Sequence, residues 1–427
     1  MTFLFIFVAA IAAVSTSLRK KDFFSPVIFF IILYSLLLAI NSLNLSSVQI
    51  SWSPTSQLLF WGSVALFIGG CASITVLANI KFQPFAISFP AIRADLRRDA
   101  QTIDWKRFQT VWLICAVIFF FAYARSYMIT GEIPLFSKSP ESSRLHFFGA
   151  SFLSNYAIHF APPSMMLGIE ILLFMQGRKK QKILVFIVSL SILFLYGTIV
   201  TRTDIFRFAL FGVILYHYGK KNLSLKHIAV LLFAGAALFV MFSLIRVSHT
   251  ATQAFLATSH LRMPKEYGWA SNFYGYVANN FWNFDYAVRK FYDNNQSYPY
   301  GYGFYLFRSL FAVTFMEGPF SQMFGFQDIF NSEITRIKGW NTIIFTWHLC
   351  KDFSFYGLFL FSLFLGMSSM MYYCNTFIKT TLFRTSLWAL IIGLIFLSFI
   401  NAVWEFWMIP MNILFFALAH GKLKFIT

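Results

Sequence analysis

Apolar runs of roughly 20 residues recur along the whole length of this chain, and that recurrence leaves few folds open. A helix needs about that length to cross the hydrocarbon core of a bilayer. Within the bilayer each backbone amide must find its partner inside the protein, which a helix provides segment by segment. Spans are expected at 2–18, 23–43, 57–80, 108–129, 149–176, 183–200, 205–218, 228–245, 353–374, 386–404 and 406–419, about eleven in all. Glu405 and Pro410 divide the last two, which otherwise read as one long helix. The first run lacks a basic leader and a small-residue cleavage site, so it is expected to stay as a span. Composition agrees: 58% of residues are hydrophobic and 12% charged, where a soluble domain carries about a quarter charged residues. Cys71, Cys115 and Cys374 fall inside spans and Cys350 near a membrane edge, which is no disulfide framework. No Cys/His cluster has zinc-ligand spacing. The expected architecture is all-α and polytopic, one membrane domain over 1–427, without internal repeats or a soluble module.

The net charge of +18 is dispersed in short clusters between spans, a pattern of membrane topology rather than of a nucleic-acid surface. With the N-terminus outside and the C-terminus inside, 20 of the 34 basic residues face the cytoplasm. They lie at Arg19–Lys21, in 81–107, at Arg178–Lys182, Lys220–Lys226 and Lys379–Arg384, and in the tail at Lys422 and Lys424. The opposite orientation would put the six basic residues of 81–107 outside. The remaining 14 sit at the outer face, and nine of them are arginine, whose planar fork suits phosphate and carboxylate. Anchoring of helix ends by snorkelling is the plainer account of any one of them.

The longest region without a spanning run is 246–352, expected as a large, non-helical outer loop. It is rich in Tyr, Trp, Asn and Gly, as in SNFYGYVANNFWNFDYAVRKFYDNNQSYPYGYGFYLFR at 271–308. Aromatic faces with amide side chains suit sugar rings and their hydroxyls, and an interfacial aromatic belt is the alternative. Three outer segments carry chemistry-bearing residues: GEIPLFSKSPESSRLHFFG at 131–149, the tight turn Thr201-Arg202-Thr203-Asp204 with Arg207 one turn on, and NTIIFTWHLCKDFSFYGLFLFSLFLG at 341–366. In the last, His348 and Asp352 share a helix face by their spacing of four. The alternatives are a helix cap for Asp204 and an ordinary interfacial histidine for His348. Glu170, near the inner end of its span, reads as a snorkelling acid, and His159 beside Pro162 and Pro163 as part of a kinked helix.

These segments resemble the Wzy-type oligosaccharide repeat unit polymerases and, more distantly, the O-antigen ligases. The resemblance rests on Gly131, Ile133, Pro134, Leu135, Phe136 and Arg144, on the turn at Thr201 and Arg202, and loosely on Asp352, Phe353 and Gly357. It implies a GT-C-like, all-helical enzyme of the bacterial inner membrane. Its substrate would be an oligosaccharide repeat unit on undecaprenyl diphosphate, presented at the periplasmic face. An acceptor hydroxyl would attack C1 of the donor's first sugar and the lipid diphosphate would leave. Arg144, Arg202, Arg207, Arg246, Arg289, Arg308 and Arg336 are the candidates for binding that diphosphate, stabilising charge as it develops. His348, Asp352 and Asp204 are the candidates for accepting the hydroxyl proton, with Glu132 behind them. The sequence has no D-x-D motif and no acid in the first outer loop, 44–56, so metal-independent transfer without a cofactor is expected. The partners would be the lipid-linked oligosaccharide, membrane lipid and a chain-length regulator protein. A ligase using the same donor, with His348 early in the last-loop helix, is the near alternative. A flippase is the distant one, and the chain shows none of the repeat halves expected of a transporter.

Overall fold

The computed structural model describes residues 2–18, 22–46, 49–82, 87–138, 140–151, 156–199, 202–224, 226–227, 229–230, 234–235, 237, 268–294, 300–302, 304–305, 307–314, 316–324, 342–399 and 408–423. Its helices are α1 (Thr2–Leu18), α2 (Pro26–Asn41), α3 (Pro54–Phe82), α4 (Phe89–Thr102), α5 (Trp105–Thr130), α6 (Pro140–Gly149), α7 (Ala161–Phe174), α8 (Lys179–Thr198) and α9 (Arg202–Gly219). They continue with α10 (Gly268–Val288), α11 (Arg308–Val313), α12 (Glu317–Phe324), α13 (Phe345–Ile378), α14 (Leu382–Leu397) and α15 (Met408–Ala419). No strand occurs among the described residues. Five helical segments are long and apolar enough to cross a membrane: Pro54–Asn79, Trp105–Phe136, Tyr156–Phe174, Lys179–Thr198 and Phe345–Ile378. Leu4–Thr16, Pro26–Asn41, Leu382–Leu397 and Ile409–Ala419 are shorter apolar helices. The expected span 228–245 lies largely outside the described residues.

The long helices are apolar on both faces. In α8, Val185, Ile192 and Tyr196 are buried, while Leu184, Ile187, Leu190 and Phe194 are exposed. A helix that is hydrophobic all round is stable only where its outer face meets another apolar medium, here lipid. Local signals set the ends. Asp104 caps α5 by accepting from the amides of Lys106 and Arg107 at 3.0 and 3.2 Å. Gly131, at φ +67, closes the other end by donating its N–H to the Tyr127 carbonyl at 2.8 Å.

The chain folds as two compact units. The first comprises Met1–Ile87, Ala254–Ile378 and Ile391–Pro410, and the second Ser88–Gln253, Lys379–Leu390 and Met411–Thr427. In the first unit α3 packs along α13. Their backbones nearly touch: a methyl at Gly366 would lie 2.1 Å from the Phe67 carbonyl oxygen, and one at Gly70 2.3 Å from that of Leu363. Cys71 Sγ donates to the Gly366 carbonyl at 3.2 Å across the same seam. Small residues are what allow such close packing where lipid removes the hydrophobic drive between helices. Gly70→Ala is therefore expected to cost about 1–3 kcal/mol by overpacking. Gly69→Ala, whose new methyl meets nothing within 4 Å, is expected to leave thermal unfolding of the purified protein unchanged. Equal destabilisation by both would contradict this account of the seam.

The segment 246–352 departs from its expected non-helical character. It contains the 21-residue helix α10, a single π-helical turn at Arg289–Asp293, and the short helices α11 and α12. Tyr274, Val277, Phe281, Phe284, Val288 and Phe291 are all buried, a repeat of three to four residues that makes one helix face. The intervening glycine and asparagines obscured that period. Asn279, Asn280 and Asn283 are themselves buried, and Asn283 Nδ2 donates to the Thr342 carbonyl at 2.8 Å.

Candidate functional site

In the second unit, α9 begins at Arg202 and carries Asp204 in its first turn and Arg207 in its second. Both are buried. Arg207 Nη1 donates to Asp204 Oδ1 at 2.7 Å, and the Tyr196 hydroxyl donates to Asp204 Oδ2 at 2.7 Å. Asp204 thus accepts from a side chain on each of its oxygens. His159 stacks on Phe148 at 5.5 Å. Phe147 packs 5.2 Å from the ring of Tyr123. Tyr123 and Thr198 share a hydrogen bond of 2.7 Å between α5 and the end of α8. The turn Pro134–Phe136 also contacts α8. The segment 131–149 therefore packs against α5 and α8, with Arg144 half-buried on α6.

In the first unit, α13 is broken at Phe353 and Ser354, the latter at φ +59. The turns before the break hold His348, Lys351 and Asp352, exposed by only 1%, 1% and 2%. The carbonyls freed by the break are met by the stretch 300–302: Gly301 N–H donates to Lys351 O and Tyr302 N–H to Asp352 O, each at 3.0 Å. Asp352 Oδ1 accepts from the Tyr305 amide at 3.0 Å. Only glycine fits at 301, because a Cβ there would lie 2.5 Å from Asp352 Oδ1. Lys351 Nζ stands 4.4 Å above the Tyr305 ring. The Tyr292 and Ser354 hydroxyls are 3.2 Å apart. Burial pushes the Tyr292 hydroxyl well above the ordinary phenol range, so it keeps its proton. This is a buried polar cluster on a broken helix.

The other sequence candidates are distributed differently. Arg289 Nε donates to Asp285 Oδ2 at 2.7 Å, and its Nη2 to the Ser51 carbonyl at 2.5 Å. Asp285 Oδ1 accepts from the Ser53 amide at 2.8 Å. A buried carboxylate thus balances Arg289, which anchors the stretch 51–53. Arg308 is half-buried at the start of α11, and Glu132 is exposed. Arg246, Arg336 and the side chain of Arg202 lie outside the described residues. Sequence reasoning passed over Tyr196, Lys351, Tyr305 and Asp285. A hydroxyl late in an apolar run and an acid four residues before an arginine were the available signals. Glu170 is not a snorkelling acid: it is 0% exposed, and its Oε2 lies 2.9 Å from His420 Nε2. Among the described residues no three His, Cys, Asp or Glu side chains converge on a metal position.

No curated protein and no solved structure matches this sequence significantly. The O-antigen polymerase family model matches residues 22–262, a stretch that holds Arg144, Arg202, Asp204, Arg207 and Arg246 and ends before Arg289, His348 and Asp352. With a match over more than half its length and with helices fit to cross a bilayer, the chain is a multi-pass membrane protein that belongs to the O-antigen polymerase family.

Proposed function

We propose that the protein lengthens a surface polysaccharide by joining repeat units carried on undecaprenyl diphosphate, at the periplasmic face of the bacterial inner membrane. The observation that carries this reading is the family match over 22–262, which includes the buried Asp204–Arg207 pair. In the reaction, a hydroxyl oxygen of the acceptor unit forms a bond to C1 of the donor's first sugar. The bond from C1 to the diphosphate oxygen breaks, and the hydroxyl proton passes to a protein base. Undecaprenyl diphosphate leaves with the bonding electrons. The N-terminal end of α9 presents amide N–H groups and the positive end of the helix dipole, which favours a phosphate there. Arg202 adds a cation at that end, and Arg207, bound to Asp204, is better suited to holding the turn than to gripping the substrate. His348 and Asp352 are the candidates for the proton. In this reading the chain is a single membrane domain of about eleven spans, with a GT-C-like arrangement, the N-terminus and 246–352 outside, and the C-terminus inside. Cations of the protein rather than a metal handle the diphosphate, and a separate regulator sets chain length.

Two experiments test it. Purified protein given lipid-linked repeat units is expected to produce a ladder of lengthened lipid-linked glycans, and no ladder would overturn the reading. The four native cysteines are buried, so introduced ones can be read against them. An impermeant thiol reagent added from outside is expected to modify Asn294→Cys and to spare Asp99→Cys. The reverse pattern would overturn the orientation.

A further inference from the structure

At the end of α9 opposite Arg202, cations from three separate elements of the second unit gather. Lys220 follows the last residue of α9, and its Nζ lies 5.8 Å from the centre of the Phe174 ring, at the end of α7. The approach is close: a methyl at Gly219 would lie 2.4 Å from Phe174 Cζ. Lys182, in the first turn of α8, reaches the same last turn of α7 and donates from Nζ to the Leu172 carbonyl at 3.1 Å. The third cation comes from α4, which packs against α9 with the Phe89 ring 5.0 Å from that of His217. Arg93 Nη2 donates to Asn222 Oδ1 just beyond α9, and Arg97 lies one turn along the same face of α4. Partial burial, and then the charges of Lys182 and Arg97, lower the pKa of Lys220 from the ordinary lysine value. Among the described residues no acid pairs with Arg97, Lys182 or Lys220. Of the acids on α4, Asp95 lies 3.8 Å from Arg98, and Asp99 accepts from the Leu382 amide at 2.7 Å. Arg93 Nε is buried without an acceptor. Membrane topology asks only that basic residues lie on one side of the bilayer. It does not ask that three elements bring them together, where like charges repel.

We propose that Arg97, Lys182 and Lys220 form a binding site for a phosphate group, with the headgroup of an acidic phospholipid as its source. Two lysines and an arginine offer several N–H donors and no acceptor, which suits phosphate oxygens. The cluster stands at the ends of two helices long and apolar enough to cross a membrane, Tyr156–Phe174 and Lys179–Thr198. Directly along α8 from Lys182, the side chains of Ile183, Leu184, Phe186 and Ile187 are exposed, an apolar surface for acyl chains. Basic clusters between the ends of membrane helices hold anionic headgroups in this way. The 18 residues of α9, at about 1.5 Å each, put roughly 27 Å between this cluster and Arg202. The site is therefore separate from the one proposed for the donor's diphosphate, and it stands whether or not the polymerase reading does.

The test follows the unfolding temperature of the intact, detergent-purified protein during titration with phosphatidylglycerol, because a ligand of the folded state raises it. A saturable rise is expected, and zwitterionic phosphatidylcholine is expected to give none. Inorganic phosphate, matched against chloride at equal ionic strength, identifies the source. A rise with phosphatidylglycerol alone assigns the site to a lipid headgroup, and a rise with both assigns it to phosphate from either source. A rise with inorganic phosphate alone keeps the phosphate site and overturns the lipid. Arg97→Gln with Lys220→Gln changes two exposed positions, so the fold is retained. The pair is expected to move the phosphatidylglycerol midpoint to a roughly tenfold higher concentration. Lys179→Gln with Lys180→Gln removes the same charge from exposed positions at the start of α8, and is expected to leave the midpoint unchanged. Equal weakening by the two pairs would show a diffuse charge effect and overturn the site. So would an equal rise with phosphatidylcholine, or no rise with either phosphatidylglycerol or inorganic phosphate.

Discussion

Arg207→Met is expected to destabilise the protein by about 3–5 kcal/mol, the cost of leaving a buried carboxylate without its cation. Asp204 would keep only the Tyr196 hydroxyl at 2.7 Å, in surroundings where both members of the pair are almost wholly covered. Tyr196→Phe, which leaves the ion pair intact, should cost less, about 1–3 kcal/mol for one unsatisfied buried acceptor. The double variant Arg207→Met with Asp204→Leu removes both charges together, and a buried pair replaced by apolar groups is often neutral or stabilising. Its unfolding temperature is expected to return close to that of the parent. Loss as large as in the single variant would show that the pair is not the source of the effect. The double variant also separates framework from chemistry. If it folds and makes polymer, the pair only holds the start of α9; if it folds and is inert, Asp204 or Arg207 takes part in the reaction.

Asp352→Asn and His348→Ala are expected to reduce turnover of lipid-linked repeat units by roughly 10²–10⁴, the contribution of a positioned base. The asparagine keeps an oxygen to accept the Tyr305 amide, now at 3.0 Å from Asp352 Oδ1, so its effect reports the lost charge rather than lost structure. His348→Ala opens a hole in a wholly buried turn, so its unfolding temperature has to be measured beside its rate. The discriminating readout is the pH profile: a base titrates into its active form, and the limb it causes disappears with it. Near-parental turnover with an unchanged profile in His348→Ala would remove His348 from the chemistry. The same result in both variants would reduce the start of α13 to a membrane anchor and move the search to Asp204 and Glu132.

How much of this was legible in the sequence depends on the range of the force involved. Transfer of side chains into lipid is local and nearly additive along the chain, so apolar runs located α1, α2, α3, α5 and α8 to within about a turn, while α13 begins eight residues before the expected span. Caps such as Asp104 and Gly131 are equally local. The segments proposed for the site were chosen from residue types, arginines and acids being sparse between apolar runs. Their partners could not be chosen in this way. That Arg207 is neutralised by Asp204 and Arg289 by Asp285 decides which cations are already balanced, and it is a matter of distance in space. The burial of α10 went unread because its apolar face is interleaved with asparagines, and only the packing of the first unit shows that those amides point inward. Likewise Gly70 and Gly69 are the same letter side by side. Only the helix that crosses one and not the other makes the first indispensable, since close packing depends on which surface the fold brings within reach.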